Sequence, residues 1–168
     1  MPCDPTDPLD VILAFLSGIG LPVSEGVVPA NSFLPGIRIA SGTLTLDRAA
    51  LRWPGDLLHE AGHLAVTPSS LRSGLDDALA GSESMAHAGE EEATAWAYAA
   101  VAHLRLDPSV LFHEGGYRGH SAGLMRTFGY GVYPGSAGLA RAGMTLVGAE
   151  AANAGKPPYP AMTRWLRE

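Results

Sequence analysis

Two histidines four residues apart, His59 and His63, enclose Glu60 in the stretch LLHEAGHLAV, residues 57–66. An α-helix turns by about 100° per residue, so side chains at i and i+4 lie one above the other on the same face. That spacing lets two imidazoles reach one cation, while Glu60, further round the flank, is placed to hydrogen-bond a water on it. Two ligands and a general base on one rigid element are the physical content of the HExxH pattern, and zinc is the ion it usually holds. With 6 histidines in 168 residues, the spacing is expected by chance in roughly one such chain in a hundred, so coincidence is the weaker explanation. The window is otherwise apolar (Leu57, Leu58, Ala61, Leu64, Ala65, Val66), which marks the helix for burial. Buried His and Glu need partners, and a metal supplies them.

Catalytic zinc commonly takes three protein ligands and leaves a fourth position for water. The segment EEEATAWAYAAVAHLRL, beginning at Glu90, is the strongest helix signal in the chain. Its alanines favour helix, and three carboxylates in the expected first turn suit the helix dipole. Glu90, Glu91 and Glu92 are each a possible third ligand on this reading.

HExxH followed by a glutamate on a later helix resembles the gluzincin branch of the zincin metallopeptidases. Several of those families carry the glutamate as E-x-x-A, then a polar residue, then small residues. Here EEEATAWA sets Glu90 three before Ala93, with Thr94 at the polar position and Ala97 one turn on. Positions 90, 93, 94 and 97 share one face of small side chains, which allows close approach to the His59–His63 helix around Gly62. The faces of Glu91 and Glu92 would bring the rings of Tyr98 or Trp96 between the helices, so Glu90 is preferred. The resemblance implies zinc held by His59, His63 and Glu90, with Glu60 as general base in hydrolysing a peptide bond of a peptide or protein substrate. In many relatives the position of Thr94 holds Asp or Asn, which orients a histidine ligand; threonine departs from that pattern. The metzincin pattern does not apply, because Val66, Thr67 and Pro68 close the helix where a third histidine would follow. Met144 in AGMT reads as a core side chain.

Hydrolysis builds negative charge on the carbonyl oxygen, and a donor opposite the metal, typically tyrosine or histidine, stabilises it. The stretch FHEGGYRGH offers Tyr117 first, then His113, then His120, with Gly115 and Gly116 expected to supply backbone freedom for aiming the tyrosine. An ordinary turn with a packed tyrosine is the competing reading. His87 could serve as an alternative ligand but fits a loop surface better, and His103 reads as a partly exposed helical residue. Trp53, Trp96 and Trp165 read as packing residues.

The elements that must position these groups are legible in outline. Asp7-Pro8 looks like an N-cap and first-turn proline, opening a helix that ends near Gly18 or Gly20. Residues 21–36 carry turn signals. IRIASGTLTL reads as two short strands, Ile37–Ala40 and Thr43–Leu46, joined at Ser41-Gly42. The second of these is the strand expected to pair, as a sheet edge, with an extended substrate beside the active-site helix. A helix over about 55–66 is stopped by Thr67-Pro68, and residues 67–89 form a long, small and polar connection with one or two helical turns. Short helices are expected near 120–128 and 136–144, and a terminal helix near 159–167. The fold expected is a single zincin-like α+β domain over residues 1–168, mostly helical, with a small twisted sheet beside the active-site helix.

Composition narrows the partners. The chain carries 46% hydrophobic and 17% charged residues, ordinary for a globular domain. A net charge of −6 and 11 scattered basic residues argue against nucleic acid, whose phosphates need clustered Lys and Arg. Cys3 is the single cysteine, so no internal disulfide can form. MPCDPTDPLD is acidic where a signal peptide would be basic, and the apolar run after it is too short to span a bilayer. A cytoplasmic protein with no membrane partner is therefore expected. The alternative to a peptidase is a metal-binding, zincin-like regulatory or interaction domain without proteolytic activity, one that would serve a larger protein partner.

Overall fold

The computed structural model describes residues 7–76 and 83–168, with the side chains of 83–88 outside that description; Cys3 and the side chain of His87 lie beyond it. The described chain is α+β, mostly helical with one small sheet. Helix α1 (Pro8–Gly18) starts where Asp7 accepts a hydrogen bond from the Leu9 amide at 2.9 Å, which satisfies one of the orphan donors of the first turn. It buries Leu9, Ile12 and Leu16.

The sheet holds β1 (Val23–Glu25), β2 (Ile37–Ala40) and β3 (Thr43–Leu46) in the order β1-β3-β2. β2 and β3 form an antiparallel hairpin. Ser41 and Gly42 turn it with φ of 49° and 71°, the pair of positive values that a two-residue hairpin loop matches to strand twist. Alternation buries Ile37, Ile39, Leu44 and Leu46. β1 pairs in parallel with β3 through Val23, Ser24 and Glu25. This overturns one expectation: β3 is the central strand, bonded on both sides, so it offers no free edge to an extended peptide. β1 lay inside the region expected to be turns, because three residues with one half-buried and two exposed side chains leave no period to detect.

Helix α2 (Pro54–Val66) carries the HExxH stretch and ends as expected, with the Thr67 hydroxyl donating to the His63 carbonyl at 2.7 Å. After the short α3 (Ser69–Arg72) comes α4 (Glu83–Leu104), seven residues longer at its start than the carboxylates suggested. Met85, Ala86 and Ala88 favour helix, and Gly89 costs only about 1 kcal/mol in its interior. The three glutamates therefore sit beyond the first turn, out of reach of the helix dipole. α4 is the centre of the molecule. Ala93, Ala95, Ala97, Ala99 and Ala100 are all fully buried, and small side chains on every face let several elements approach at once.

One close approach is to α2: a Cβ on Gly62 would lie 2.7 Å from the Ala93 carbonyl oxygen. α6 (Ser136–Arg141) presses on another side of α4, where a Cβ on Gly138 would run into the Glu92 carboxylate. α5 (Ser121–Gly129) and α7 (Gly148–Ala154) complete the helices. The expected terminal helix over 159–167 does not form. The tail instead crosses the helices as an irregular strap, its backbone bonded to other elements in place of itself. Its backbone finds partners there: the Trp96 indole donates to the Trp165 carbonyl at 2.8 Å, and the Arg167 amide donates to the Ala65 carbonyl at 2.9 Å. The Tyr159 hydroxyl donates to the Ala95 carbonyl at 2.8 Å. Met144 is fully buried, as read from sequence. Among the described residues no helix is long and apolar enough to cross a membrane.

Candidate metal centre

The close contact at Gly62 and Ala93 sets the spacing of α2 and α4, and Glu90 stands one turn before Ala93 on the same face. As a result the structure gathers His59, His63 and Glu90 into one cluster, whose ligand atoms all lie within 4.8 Å of one another. His59 Nε2 is 3.1 Å from His63 Nε2, Glu90 Oε1 is 3.0 Å from His59 Nε2, and Glu90 Oε2 is 3.3 Å from His63 Nε2. A tetrahedral ion with bonds of about 2.0–2.1 Å has ligand atoms about 3.3 Å apart. The donor set and its spacing therefore fit a small divalent metal. Glu91 is exposed, and the Glu92 carboxylate lies over Gly138 on α6, so neither joins the cluster.

The electrostatics of the cluster point the same way. Burial disfavours the charged form of His63, but the Glu90 hydrogen bond and the charges of Glu60 and Glu90 outweigh it and raise its pKa. Burial alone would raise the Glu90 pKa; hydrogen bonds from His59 and His63 and their charges reverse that, holding the carboxyl well below its usual range. Glu60 and Glu90 thus place negative potential at the His63 ring, where a cation is stabilised. Glu60 is half-buried on α2 and acts electrostatically on His63.

Around the cluster lies a layer of polar and aromatic side chains. The Tyr117 hydroxyl sits 3.2 Å from His59 Nδ1, with the two rings edge to face at 5.3 Å. Thr94, buried on α4, hydrogen-bonds the same hydroxyl. Burial raises the Tyr117 pKa far above its ordinary value, so the phenol stays protonated. Next to it, His113 is buried with Nε2 2.9 Å from Asp56 Oδ1 and its ring stacked on Trp53 at 4.6 Å and 11°. His113 Nδ1 is buried without a hydrogen-bond partner.

The two expected donors are placed differently. Tyr117 lies beside the cluster and meets His59 at the ring nitrogen opposite the one that faces Glu90 and His63. His113 is committed to Asp56 and Trp53 and stands away from the cluster. Gly115 and Gly116 also serve differently from the expectation, since neither has positive φ. A Cβ on Gly115 would lie 2.7 Å from the Trp53 indole nitrogen, and one on Gly116 would lie 3.0 Å from the His113 ring; they are small so that the loop can lie against that stack. The positive φ falls on Tyr117 itself. His120 is exposed at the start of α5, and His103 is exposed with its ring near Phe15 and Trp165.

Sequence reasoning passed over Asp56. The available signal was its position, one turn before His59 and Glu60 on a helix that is otherwise apolar. Comparison of the chain with family models, curated proteins and solved structures finds no match, so its chemistry is read from its geometry.

Proposed function

We propose that this chain is a minimal zincin-type metallopeptidase domain that holds one zinc ion on His59, His63 and Glu90. The observation that carries the reading is the cluster itself: two imidazole nitrogens 3.1 Å apart, each within 3.3 Å of one of the Glu90 carboxylate oxygens, on a helix that also bears Glu60. The α+β architecture, with β2 packed on α2, supports it. Accessibility supports it too, because the Glu90 side chain is 49% exposed while that of His59 is 14% exposed. One side of the cluster is therefore open to water and substrate.

A bound zinc ion would polarise the scissile carbonyl and lower the pKa of a water beside it. Glu60 accepts that water's proton as the oxygen forms its bond to the carbonyl carbon. It then delivers the proton to the amine nitrogen as the C–N bond breaks. His59 and His63 remain neutral throughout, since a protonated nitrogen cannot be a ligand.

A metal-dependent interaction domain without hydrolysis is the second reading, and the central position of β3 favours it, because the expected substrate edge is occupied. One experiment separates them. Metal analysis of protein purified without added zinc should give one zinc per chain, which Glu90→Ala loses and Glu91→Ala keeps. Cleavage of a mixed peptide library should appear in the zinc-loaded protein and fall by about 10²–10⁴ in Glu60→Gln, which keeps its zinc. Zinc without cleavage in any peptide supports the interaction domain; no zinc at all sinks both.

A further inference from the structure

We infer that Tyr117 is a positioning residue for the metal ligand His59: its hydroxyl accepts the Nδ1–H of that ring and so reserves Nε2 for the ion. The inference rests on the metal-site reading above and assigns within it a role that the HExxH stretch does not contain. A histidine ligand has two tautomers, and whatever holds one nitrogen decides which is free for the metal. His59 Nε2 faces His63 and Glu90, and its Nδ1 has the Tyr117 hydroxyl 3.2 Å away. The hydroxyl oxygen has two lone pairs with which to accept there, and Thr94, buried beside it, hydrogen-bonds the same oxygen. Thr94 thus reaches the ligand through the tyrosine and not directly.

The backbone gives an independent reason to read Tyr117 as specially placed. Tyr117, Arg118 and Gly119 have φ of 52°, 51° and 84°, a left-handed turn in which two of three residues carry a Cβ. Such strain persists only where the surroundings over-determine it, and it gathers at functional sites. The surroundings are visible: Trp53 and Asp56, at the start of α2, grip His113 by stacking and a 2.9 Å hydrogen bond. Gly115 and Gly116 lie flat on that stack, and Phe112 packs against the Tyr117 ring at 5.4 Å. One helix therefore carries both the ligand and the anchor of the loop that orients it.

The test is zinc affinity by chelator competition on the full chain, together with the imidazole nitrogen–proton spectrum of the zinc-loaded protein. Tyr117→Phe keeps the ring and should weaken zinc by about 10–100-fold. Thr94→Val, a buried substitution of similar shape, should weaken it in the same direction by less. In the parent protein His59 should show an Nδ1 proton protected from solvent exchange; in Tyr117→Phe that proton should lose its protection, while the His63 signal stays. Loss of packing alone would not change one histidine's tautomer signal and spare the other's. Unchanged affinity and a protected Nδ1 proton in both variants would overturn the inference, as would zinc on His59 Nδ1 in the parent. If the parent binds no zinc, the metal-site reading itself fails, an outcome distinct from a parent that binds and a variant that is indifferent.

Discussion

Gly62→Ala tests the packing on which the cluster depends, because the structure and helix propensity predict opposite signs for it. In an unencumbered helix the change would stabilise by about 0.5–1 kcal/mol, through the conformational entropy glycine loses on folding. Here the added Cβ would stand 2.7 Å from the Ala93 carbonyl oxygen and 3.2 Å from Ala93 C and Cα. The first distance is short of ordinary contact by about 0.7 Å, and all three atoms belong to the backbone of α4, which no rotamer change can move aside. Relief requires α2 and α4 to part. Overpacking of this kind costs about 1–3 kcal/mol, so after the propensity gain the metal-free protein should lose up to about 2.5 kcal/mol. Parting the helices also draws Glu90 from His59 and His63. A shift of about 0.5 Å exceeds the tolerance of about 0.2 Å for a ligand bond, so zinc affinity should fall as well. Urea unfolding of the metal-free form, with the slope unchanged, gives the first quantity; chelator competition gives the second. A variant that is more stable than the parent and binds zinc equally would show that the helices do not meet at Gly62.

Two further outcomes follow from named groups. The pKa of His63 is raised, so the metal-free protein holds a proton there above pH 6.5, and zinc must displace it. Affinity should weaken as pH falls through that raised value, by up to about tenfold per pH unit for the one proton; an affinity flat between pH 6 and 7.5 on zinc competition would contradict this. Arg118 is exposed with φ 51°, a conformation costing a non-glycine residue about 1–2 kcal/mol. Arg118→Gly should therefore stabilise by roughly 0.5 kcal/mol after its own entropy cost and leave zinc binding alone, and a lower urea midpoint would count against a strained turn.

What could be read from the sequence was local. Asp7 and Pro8 announce α1, Ser41-Gly42 announces the hairpin, and Thr67-Pro68 stops α2, each through the conformational preference of one or two residues. The pairing of His59 with His63 is likewise local, being fixed by helix period. What could not be read depends on partners distant along the chain. β1 exists because Val23, Ser24 and Glu25 pair with Leu44, Thr45 and Leu46, and that pairing is what makes β3 central. A terminal helix is expected near 159–167, yet the backbone there is taken up by Ala65 and by the Trp96 side chain. Tyr117 stood out as a residue near chemistry, but only the fold could say which nitrogen it would meet.

The uneven burial of the three candidate ligands has a kinetic meaning. His59 and His63 sit on one helix with side chains 14% and 27% exposed, whereas Glu90 belongs to a second helix and is 49% exposed. An ion in this cluster would exchange with solution through the carboxylate: Glu90 can swing outward about its side-chain bonds while the two imidazoles stay fixed. Loading and loss would then share one gate, with lifetimes set by how often a single glutamate lets go. A chelator approaching from that side would meet a half-released ion, and the rate of stripping, more than the equilibrium affinity, would report on Glu90.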